Sequence, residues 1–449
     1  MNNNPQAELI SYNQNGAEIC ASAARISTTK GNALEIFEKA NGHPKNQELI
    51  QKVFSSGHKS VIEHAVFTFA LKDVSAFVEQ FFIECRLASF TVKSRRYVDF
   101  SNSGYYIPPE LQGDEKKQYC DYMDMLFSAY QTLLDNHVPK EDARFLLPYS
   151  FHSNFYCTLN ARELYQSLAA IRHGRGKGIL ELQNLADQIV RQVEAILPGV
   201  FLELAAVASS IVDDEAKYDD VPAGWNTFSL ITPQEAGSVR LLNAPSDPLK
   251  LLQTACAVNH PRGACAVDLD ALLRSDRPRE LEQLSYSFLI SNVTLSGITH
   301  IVRHRMQSIV IPPIQTIDHS KYILPETIRS DAASFKLYQH TLEQAAALLK
   351  EMCKNPLLRN YSHYYALSGN VMDIMTTMNA RELKHFIQLR TCSRAQWEIR
   401  KISIEMLQNL RSICPELFNA FGPGCYVKGS CPEGKMSCGN MKQVVKDFR

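Results

Sequence analysis

The chain has 449 residues with 47 basic and 47 acidic side chains, and 45% of its residues are hydrophobic. Zero net charge excludes a general electrostatic attraction to nucleic acid or to an anionic membrane, so an anionic ligand would need a local cluster of arginines. No stretch of 18 apolar residues and no secretion signal is visible, which predicts a cytoplasmic protein with no membrane span and no nucleic-acid partner.

The first polar cluster along the chain is GHKSVIEH at residues 57–64. Its pattern predicts a turn that runs into a strand and carries His58, Ser60, Glu63 and His64. Gly57 allows the backbone to approach a ligand. A metal site built on the two histidines has only weak support from their spacing.

The second cluster is SRRY at residues 94–97, which combines a hydroxyl, two guanidiniums and a phenol. Such a group suits a phosphate and a base ring, and a surface turn is the alternative interpretation. Arg144 precedes an apolar run, and taken alone it has the pattern of a solvated helix residue.

A tandem repeat becomes visible at a constant offset of 219 residues. Residues 64–89 align without gaps on 283–308, and NAREL occurs at both 160–164 and 379–383. This repetition predicts two copies of one α+β unit. The predicted domains are a first repeat at 1–215, a linker at 216–235, a second repeat at 236–422 and a Cys-rich tail at 423–449.

In the second copy, residues 284–290 alternate apolar and polar side chains, which is typical of a half-buried strand. A helix is expected from Asn292 to His304, and its end presents Arg303, His304 and Arg305. Three adjacent cationic groups are costly unless solvent or an anion compensates them. A solvated helix end and an anion site both remain open.

The two NAREL segments predict helix starts with a variant capping box, Asn160 with Glu163 and Asn379 with Glu382. Arg390 lies at helical spacing on an apolar face farther along the second of these helices. A guanidinium there needs a polar partner, which leaves an internal ion pair and a ligand contact equally open.

The twelve cysteines are too scattered for a disulfide scaffold, and only the tail is dense. Cys425, Cys431 and Cys438 are weak candidates for a zinc site because their spacing matches no standard pattern. The Gly- and Pro-rich tail has no periodicity, so a flexible segment with free thiols is expected.

Together these motifs resemble the flavin-dependent thymidylate synthases. That family's hallmark is Arg-His-Arg, with a serine eight residues later that begins Ser-x-Arg-Tyr, an upstream Gly-His-x-Ser-x-x-Glu-His, an Asn-x-Arg and a helix with Ala-Gln-x-Glu-Ile. The second copy keeps Arg303, His304 and Arg305, NAR at 379–381 and LRTCSRAQWEIR at 389–400. The first copy keeps GHKSVIEH, Ser94, Arg96, Tyr97 and Arg144, but has Glu84-Cys85-Arg86 at the triplet.

The resemblance implies reductive methylation of dUMP to dTMP with FAD, NADPH and 5,10-methylenetetrahydrofolate. The implied FAD-binding residues are Arg303, His304, Arg305, Asn379, Arg381, His385, His58, Ser60 and Glu63. The implied substrate-binding residues are Ser94, Arg96, Tyr97, Arg144 and Arg390, of which Arg390 and Ser94 are also the catalytic candidates.

Sites in this family are shared between the chains of a homotetramer. Complementary loss of motifs from the two copies therefore predicts a homodimer that forms a pseudo-tetramer with composite active sites. The Asn-Glu that usually precedes the serine is replaced by Thr91 and Val92, and the glutamine three residues before the triplet is His300. Two alternatives follow, a methylase of another uridine nucleotide and a non-catalytic paralogue that binds flavin or nucleotide.

Overall fold

A computed structural model describes residues 4–201, 231–259 and 268–449, which divide into two compact units. The first unit comprises Met1–Phe228 and Thr327–Leu367, and the second comprises Ser229–Glu326 and Ser368–Arg449. One segment of the predicted second repeat, Thr327–Leu367, is therefore grouped with the first unit, and the boundaries of the sequence repeats stay a prediction. Most of the expected linker lies outside the described residues, but its last residues are part of a strand.

The strands are β1 (Gln6–Tyr12), β2 (Val66–Ser75), β3 (Ala88–Val92), β4 (His152–Asn160), β5 (Thr232–Gln234), β6 (Ser238–Asn243), β7 (Ser285–Thr294), β8 (Gln307–Val310), β9 (Lys321–Ile323) and β10 (Val371–Asn379). The helices of the first repeat are α1 (Gly16–Ile26), α2 (Ala33–Ala40), α3 (Asn46–Ser55), α4 (Ala76–Ile83), α5 (Gly113–Asp135), α6 (Lys140–Ala143), α7 (Ala161–His173) and α8 (Leu180–Glu194).

The helices that follow are α9 (Pro248–Asn259), α10 (Leu269–Arg274), α11 (Leu295–Ile301), α12 (Glu326–Arg329), α13 (Ala332–Met352), α14 (Pro356–Arg359), α15 (Ser362–Tyr365), α16 (Ala380–Arg390), α17 (Trp397–Ile413), α18 (Pro415–Phe418), α19 (Gly424–Lys428) and α20 (Met441–Phe448). Short 3₁₀ helices span Lys59–His64, Arg144–Leu146, Arg279–Gln283, Ile314–Thr316 and Gly434–Met436. None of the described helices is both long and apolar enough to cross a membrane.

Each unit is built on one four-stranded antiparallel sheet, and the two sheets have the same strand order. The first is β1-β2-β4-β3 and the second is β6-β7-β10-β8. In the first unit α8 packs beside β1, and α5 packs along α13. In the second unit α17 packs beside β6. The predicted α+β fold class is confirmed, and the sequence repeat recurs as two sheets of equal topology.

A shared irregularity shows how closely the two sheets correspond. Asp73 and Asn292, which are equivalent in the repeat, both have positive φ, at 52° and 55°. Their backbone N–H groups donate to the side chains of Asn154 at 3.2 Å and Asp373 at 2.9 Å. Asp and Asn tolerate this conformation better than other non-glycine residues. Each sheet therefore turns into its following helix at the same place.

A buried carboxylate fixes the start of that helix in each unit. Glu181 on α8 accepts hydrogen bonds from the N–H and hydroxyl of Ser75 at 2.7 and 2.6 Å and from Tyr364 at 2.8 Å. In the second unit, Glu398 accepts the corresponding bonds from Thr294 at 2.7 and 2.6 Å. Because buried acceptors need partners, these bonds link the sheet to its flanking helix.

We expect Glu181 to make stability depend on pH. Burial raises its pKa from 4.5 to about 7, although the bonds from Ser75 and Tyr364 oppose the shift. Between these values the unfolded chain loses a proton that the folded chain keeps, so stability falls as pH rises, by about 3 kcal/mol in total. Urea unfolding of Glu181→Gln between pH 5 and 8 should lack this fall, whereas exposed Glu351→Gln should retain it. Parallel profiles for Glu181→Gln and wild type would contradict the expectation.

Two expectations about local structure are wrong. The helix expected from Asn292 begins at Leu295, because β7 continues to Thr294, residues 293 and 294 still pair with β10, and the Thr294 hydroxyl caps the helix. The tail is folded, since Val444 and Phe448 lie on one buried face of α20. Arg411 on α17 also donates to the Phe448 carbonyl at 2.9 Å, which anchors the end of the chain.

Candidate active site

The Arg-His-Arg triplet lies in the turn between α11 and β8, beyond the end of the helix. Arg303 and Arg305 are exposed, and His304 between them is buried with 5% of its surface accessible. The three residues therefore have two different tasks. The arginines are at a surface where a ligand can approach, while the imidazole belongs to the interior.

His304 contacts two polar side chains of α16, those of Glu382 and Arg390. Its Nδ1 is 2.9 Å from the Glu382 carboxylate, and its Nε2 accepts from Arg390 Nε at 3.0 Å. Burial lowers the pKa of His304, with the charge of Arg390 acting in the same direction and Glu382 against it. A neutral ring must then carry its proton on Nδ1 to satisfy both contacts. The predicted polar partner of Arg390 is thus an imidazole, with a second bond to the His300 carbonyl at 3.0 Å.

Other predicted residues lie at the start of the same helix. The Asn379 side chain accepts from the Glu382 N–H at 2.9 Å, so the predicted cap is confirmed, but the Glu382 carboxylate contacts His304 instead of completing a capping box. Arg381 pairs with Glu282 at 2.5 Å. His385 is exposed, with its ring centroid 5.7 Å from that of His304. Asn379, Arg381 and His385 thus lie at or near the start of the helix whose Glu382 and Arg390 contact His304 of the triplet.

The first unit retains only part of this arrangement. Glu63 pairs with Arg162 at 2.5 Å, which reproduces the pair of Glu282 and Arg381. Cys85 is at the position equivalent to His304, with its sulfur 3.2 Å from the Ser167 hydroxyl. Burial raises the pKa of this thiol to about 11, which makes it a poor nucleophile. The chain of bonds from carboxylate to imidazole to guanidinium is therefore specific to the second unit.

Ser60 and Glu63 are on the 3₁₀ helix Lys59–His64, which comes before β2, and His58 immediately precedes that helix. His58 and Ser60 are exposed, and Glu63 is half-buried. Gly57 has φ +92° and open space where a side chain would begin, so a ligand could approach the backbone as expected. This short 3₁₀ helix leads directly into β2, as the predicted turn into a strand requires.

The substrate candidates of the first copy lie near Glu141, a residue that the motif does not contain. Arg96 pairs with the Glu141 carboxylate, and Arg144 Nε donates to the Glu141 carbonyl at 3.0 Å. The Ser94 hydroxyl accepts from the Arg96 N–H at 3.3 Å, and the guanidinium of Arg96 is 5.6 Å from the Tyr97 ring centre. Arg144 is only 2% exposed, so its interpretation as a solvated helix residue is wrong.

Three acidic residues of the site, Glu141, Glu282 and Glu382, were missed as functional candidates. The pairing of Glu141 with Arg96 has no signal in the sequence because 45 residues separate them, although Glu141 lies only three residues before Arg144. Glu282 carried a usable signal, since it aligns with Glu63 across the repeat. Glu382 was identified only as a capping residue.

The described residues contain no group of three or more His, Cys, Asp or Glu side chains arranged to hold a metal ion. In the tail, Cys425 is buried, Cys431 is partly exposed and Cys438 is exposed. Neither the two histidines of GHKSVIEH nor the tail cysteines gain geometric support as metal ligands.

A family model described as "Thymidylate synthase complementing protein" matches residues 8–199 and again 241–416. The flavin-dependent thymidylate synthase of Geobacter sulfurreducens is 30% identical over 185 residues, which cover 40% of this chain and 79% of that protein. The chain belongs to the flavin-dependent thymidylate synthase family. The predicted resemblance is confirmed, and with it the prediction that the chain is a member of an enzyme family.

Other similar proteins also align with less than half of this chain while nearly all of their own length is covered. The flavin-dependent thymidylate synthase of Nitratidesulfovibrio vulgaris is 30% identical over 235 residues, covering 46% of this chain and 96% of that protein. The crystal structure of the UMP/dUMP methylase PolB from Streptomyces cacaoi, bound with 5-Br dUMP, aligns with 25% identity and a TM-score of 0.38, covering 45% of this chain and 95% of that one.

Proposed function

We propose that this protein catalyses the reductive methylation of dUMP to dTMP, with methylenetetrahydrofolate as carbon donor, NADPH as reductant and FAD as cofactor. Family membership supports the reaction class. The observation that carries the proposal for this chain is the bonded series Glu382, His304 and Arg390, which fixes one guanidinium beside the triplet.

The donor set around the triplet fits a flavin dinucleotide. Arg303, Arg305 and His385 are exposed at one surface, and cationic or N–H donors suit a diphosphate and ring carbonyls. The residues that would hold FAD are Arg303, His304, Arg305, Asn379, Arg381, His385, His58, Ser60 and Glu63. When bound, FAD supplies the hydride transfer that side chains cannot perform.

The group around Glu141 suits the phosphate of dUMP. Arg96 and Arg144 supply the positive charge, Ser94 supplies a hydroxyl and Tyr97 supplies a ring for the base. The Glu141 carboxylate already occupies the Arg96 guanidinium, so a phosphate would have to replace it. Arg390 would face the uracil carbonyl and stabilise the negative charge that develops as the ring is activated.

The composite site is argued from complementary motif loss, since neither copy retains a full set. We therefore propose a homodimer in the cytoplasm that forms a pseudo-tetramer of repeats. Light scattering should give twice the mass of one chain. Mixing an Arg144→Ala chain with an Arg303→Ala chain should restore part of the activity if each site joins two chains. A monomer would contradict the proposed assembly.

The reaction is tested directly with purified protein. It should be yellow, should oxidise NADPH faster when dUMP is added, and should form dTMP once methylenetetrahydrofolate is present. A colourless protein that stays inactive with added FAD would instead support a non-catalytic paralogue.

Another uridine nucleotide is the second candidate substrate. Val92 and His300 replace the glutamate and glutamine of the family pattern, which changes the groups available to the nucleotide. Turnover should be compared for dUMP and UMP at equal concentration. A higher kcat/KM for UMP would favour this second function.

The proposed roles predict that Arg303→Ala and Arg144→Ala fail in different ways. Removing Arg303 should abolish flavin retention, measured by absorbance after gel filtration. Removing one charge-assisted contact at Arg144 costs about 1.5–3 kcal/mol, so the nucleotide KM should rise by about 10- to 150-fold with the flavin retained. Equal effects of the two substitutions on both measurements would refute this division of roles.

A further inference from the structure

A cavity of about 650 Å³ lies in the first unit, and none of its lining residues belongs to the proposed active site. Its walls come from residues 105–109, from the start of α5 and from one face of α8. This volume is within the range of small-molecule sites.

The face of α8 that lines the cavity is polar throughout. Asp187 and Gln188 each lie three or four residues from both Asn184 and Arg191, so the four share one side of the helix. Gln188 is already used, because its side chain accepts from the Ala7 N–H at 3.0 Å. Asn184 and Arg191 have no such structural bond among the described residues, so they remain available to a ligand.

The charges of the lining favour an anion. Lys116 on α5 and Arg191 on α8 face the same cavity, and neither pairs with a carboxylate among the described residues. The two lining acids are compensated, since Asp187 pairs with Arg172 and Glu181 accepts three hydrogen bonds. Two cations contributed by different helices therefore give the cavity a net positive charge.

The remaining wall suits a ring. Tyr105 and Tyr106 line the cavity together with Ile107 and Pro108. The Tyr105 hydroxyl is held by Asp124 at 2.7 Å, and Tyr106 packs on Tyr364 with ring centroids 5.2 Å apart. Side chains held in this way offer a fixed apolar surface to a planar group.

The second copy shows that this lining is not imposed by the fold. Helix α17 is anchored as α8 is, with Glu398 bonded to Thr294 and Glu405 accepting from the Val239 N–H at 3.0 Å. When Glu181 is aligned with Glu398, the residues equivalent to Asn184, Asp187 and Arg191 are Lys401, Ile404 and Gln408. The second copy keeps a cation at Lys401 but has Gln408 where the first has Arg191, so the cation at this end of the face belongs to the first copy alone.

We propose that this cavity is a second ligand site, which binds a phosphate-bearing small molecule of nucleotide size with its ring on Tyr105 and Tyr106 and its anion on Lys116 and Arg191. The site does not depend on the proposed reaction. It is separate from the residues assigned to dUMP.

The test uses the full chain with Arg144→Ala and Arg303→Ala already introduced, so that binding at the proposed active site is weakened. Calorimetry with UMP should detect a site that survives in this background. Adding Lys116→Ala and Arg191→Ala should weaken UMP binding at least tenfold, while uridine, which lacks the phosphate, should bind weakly throughout.

Matched controls are Lys117→Ala, adjacent in sequence but paired with Asp121, and Gln408→Ala, the second-copy counterpart of Arg191. Both should leave UMP binding unchanged, and circular dichroism should confirm that every variant is folded. Absence of UMP binding in the starting background would overturn the proposal, as would binding that is unaffected by loss of both cations. Binding of inorganic pyrophosphate with equal affinity would overturn the role of the tyrosine ring surface.

Discussion

Replacing Arg390 with alanine is expected to lower kcat by about 100- to 1,000-fold, the usual effect of removing a donor that stabilises developing negative charge. The structure gives the reason, because His304 and the His300 carbonyl hold the guanidinium in one orientation. Stopped-flow kinetics should show the loss in the methylation step. Flavin content should be unchanged, since the exposed arginines of the triplet hold the cofactor.

Arg390→Lys provides the sharper comparison. It keeps the positive charge but cannot bond both the imidazole and the carbonyl with a planar fork. Activity should therefore stay well below wild type. Arg240→Ala, which removes an exposed arginine of the same unit, should have no effect. A lysine variant with full activity would show that charge alone is required and that the bonded series has no positioning role.

The features of the site that can be predicted from sequence are those held by hydrogen bonds between residues close together in the chain. The caps at Asn160 and Asn379 reach only three residues along the chain, so their pattern is visible in the sequence. The partner of His304 is 78 residues away at Glu382, because strands and a helix must first be folded to bring them together. Sequence spacing carries no information about such a contact.

The start of α11 and the fold of the tail also depend on contacts with distant residues. The apolar spacing after Asn292 suits a helix, but pairing of β7 with β10 continues to Thr294 and takes precedence. In the tail, Gly and Pro obscure the short apolar face of α20, which packs against α19 with the Phe448 ring centroid 6.2 Å from that of Tyr426. The grouping of residues 327–367 with the first unit is likewise a tertiary property.

The motif SRRY shows most clearly that a sequence pattern does not reveal which of two adjacent arginines is buried. Both arginines are equally suited to phosphate in the sequence, yet Arg95 is buried beside Glu79 at 2.5 Å while Arg96 faces the proposed site. Burial opposes the charge of Arg95, but Glu79 and Tyr149 outweigh it and raise its pKa. One arginine is thus held in a buried structural pair, while its neighbour, which pairs with Glu141, is the one assigned to the phosphate in the proposed site.

Replacing Glu79 with alanine should cost about 3–5 kcal/mol of unfolding free energy, because it leaves a buried guanidinium without its counter-charge. The side chains of Arg95 and Glu79 are only 4% and 0% exposed, so water cannot compensate. Urea unfolding measures this loss. Asp121→Ala, which breaks the exposed pair with Lys117, should have a much smaller effect on the unfolding free energy because solvent screens that pair.

The double variant Glu79→Leu with Arg95→Met decides whether the loss comes from the unpaired charge. If it does, the double variant should be more stable than Glu79→Ala, because replacing a buried pair with apolar residues of similar volume is often neutral. Additive losses would show instead that each side chain acts through packing. Since Arg95 lies between Ser94 and Arg96, Glu79→Ala should also raise the nucleotide KM, and rescue of stability without rescue of KM would separate folding from positioning at this loop.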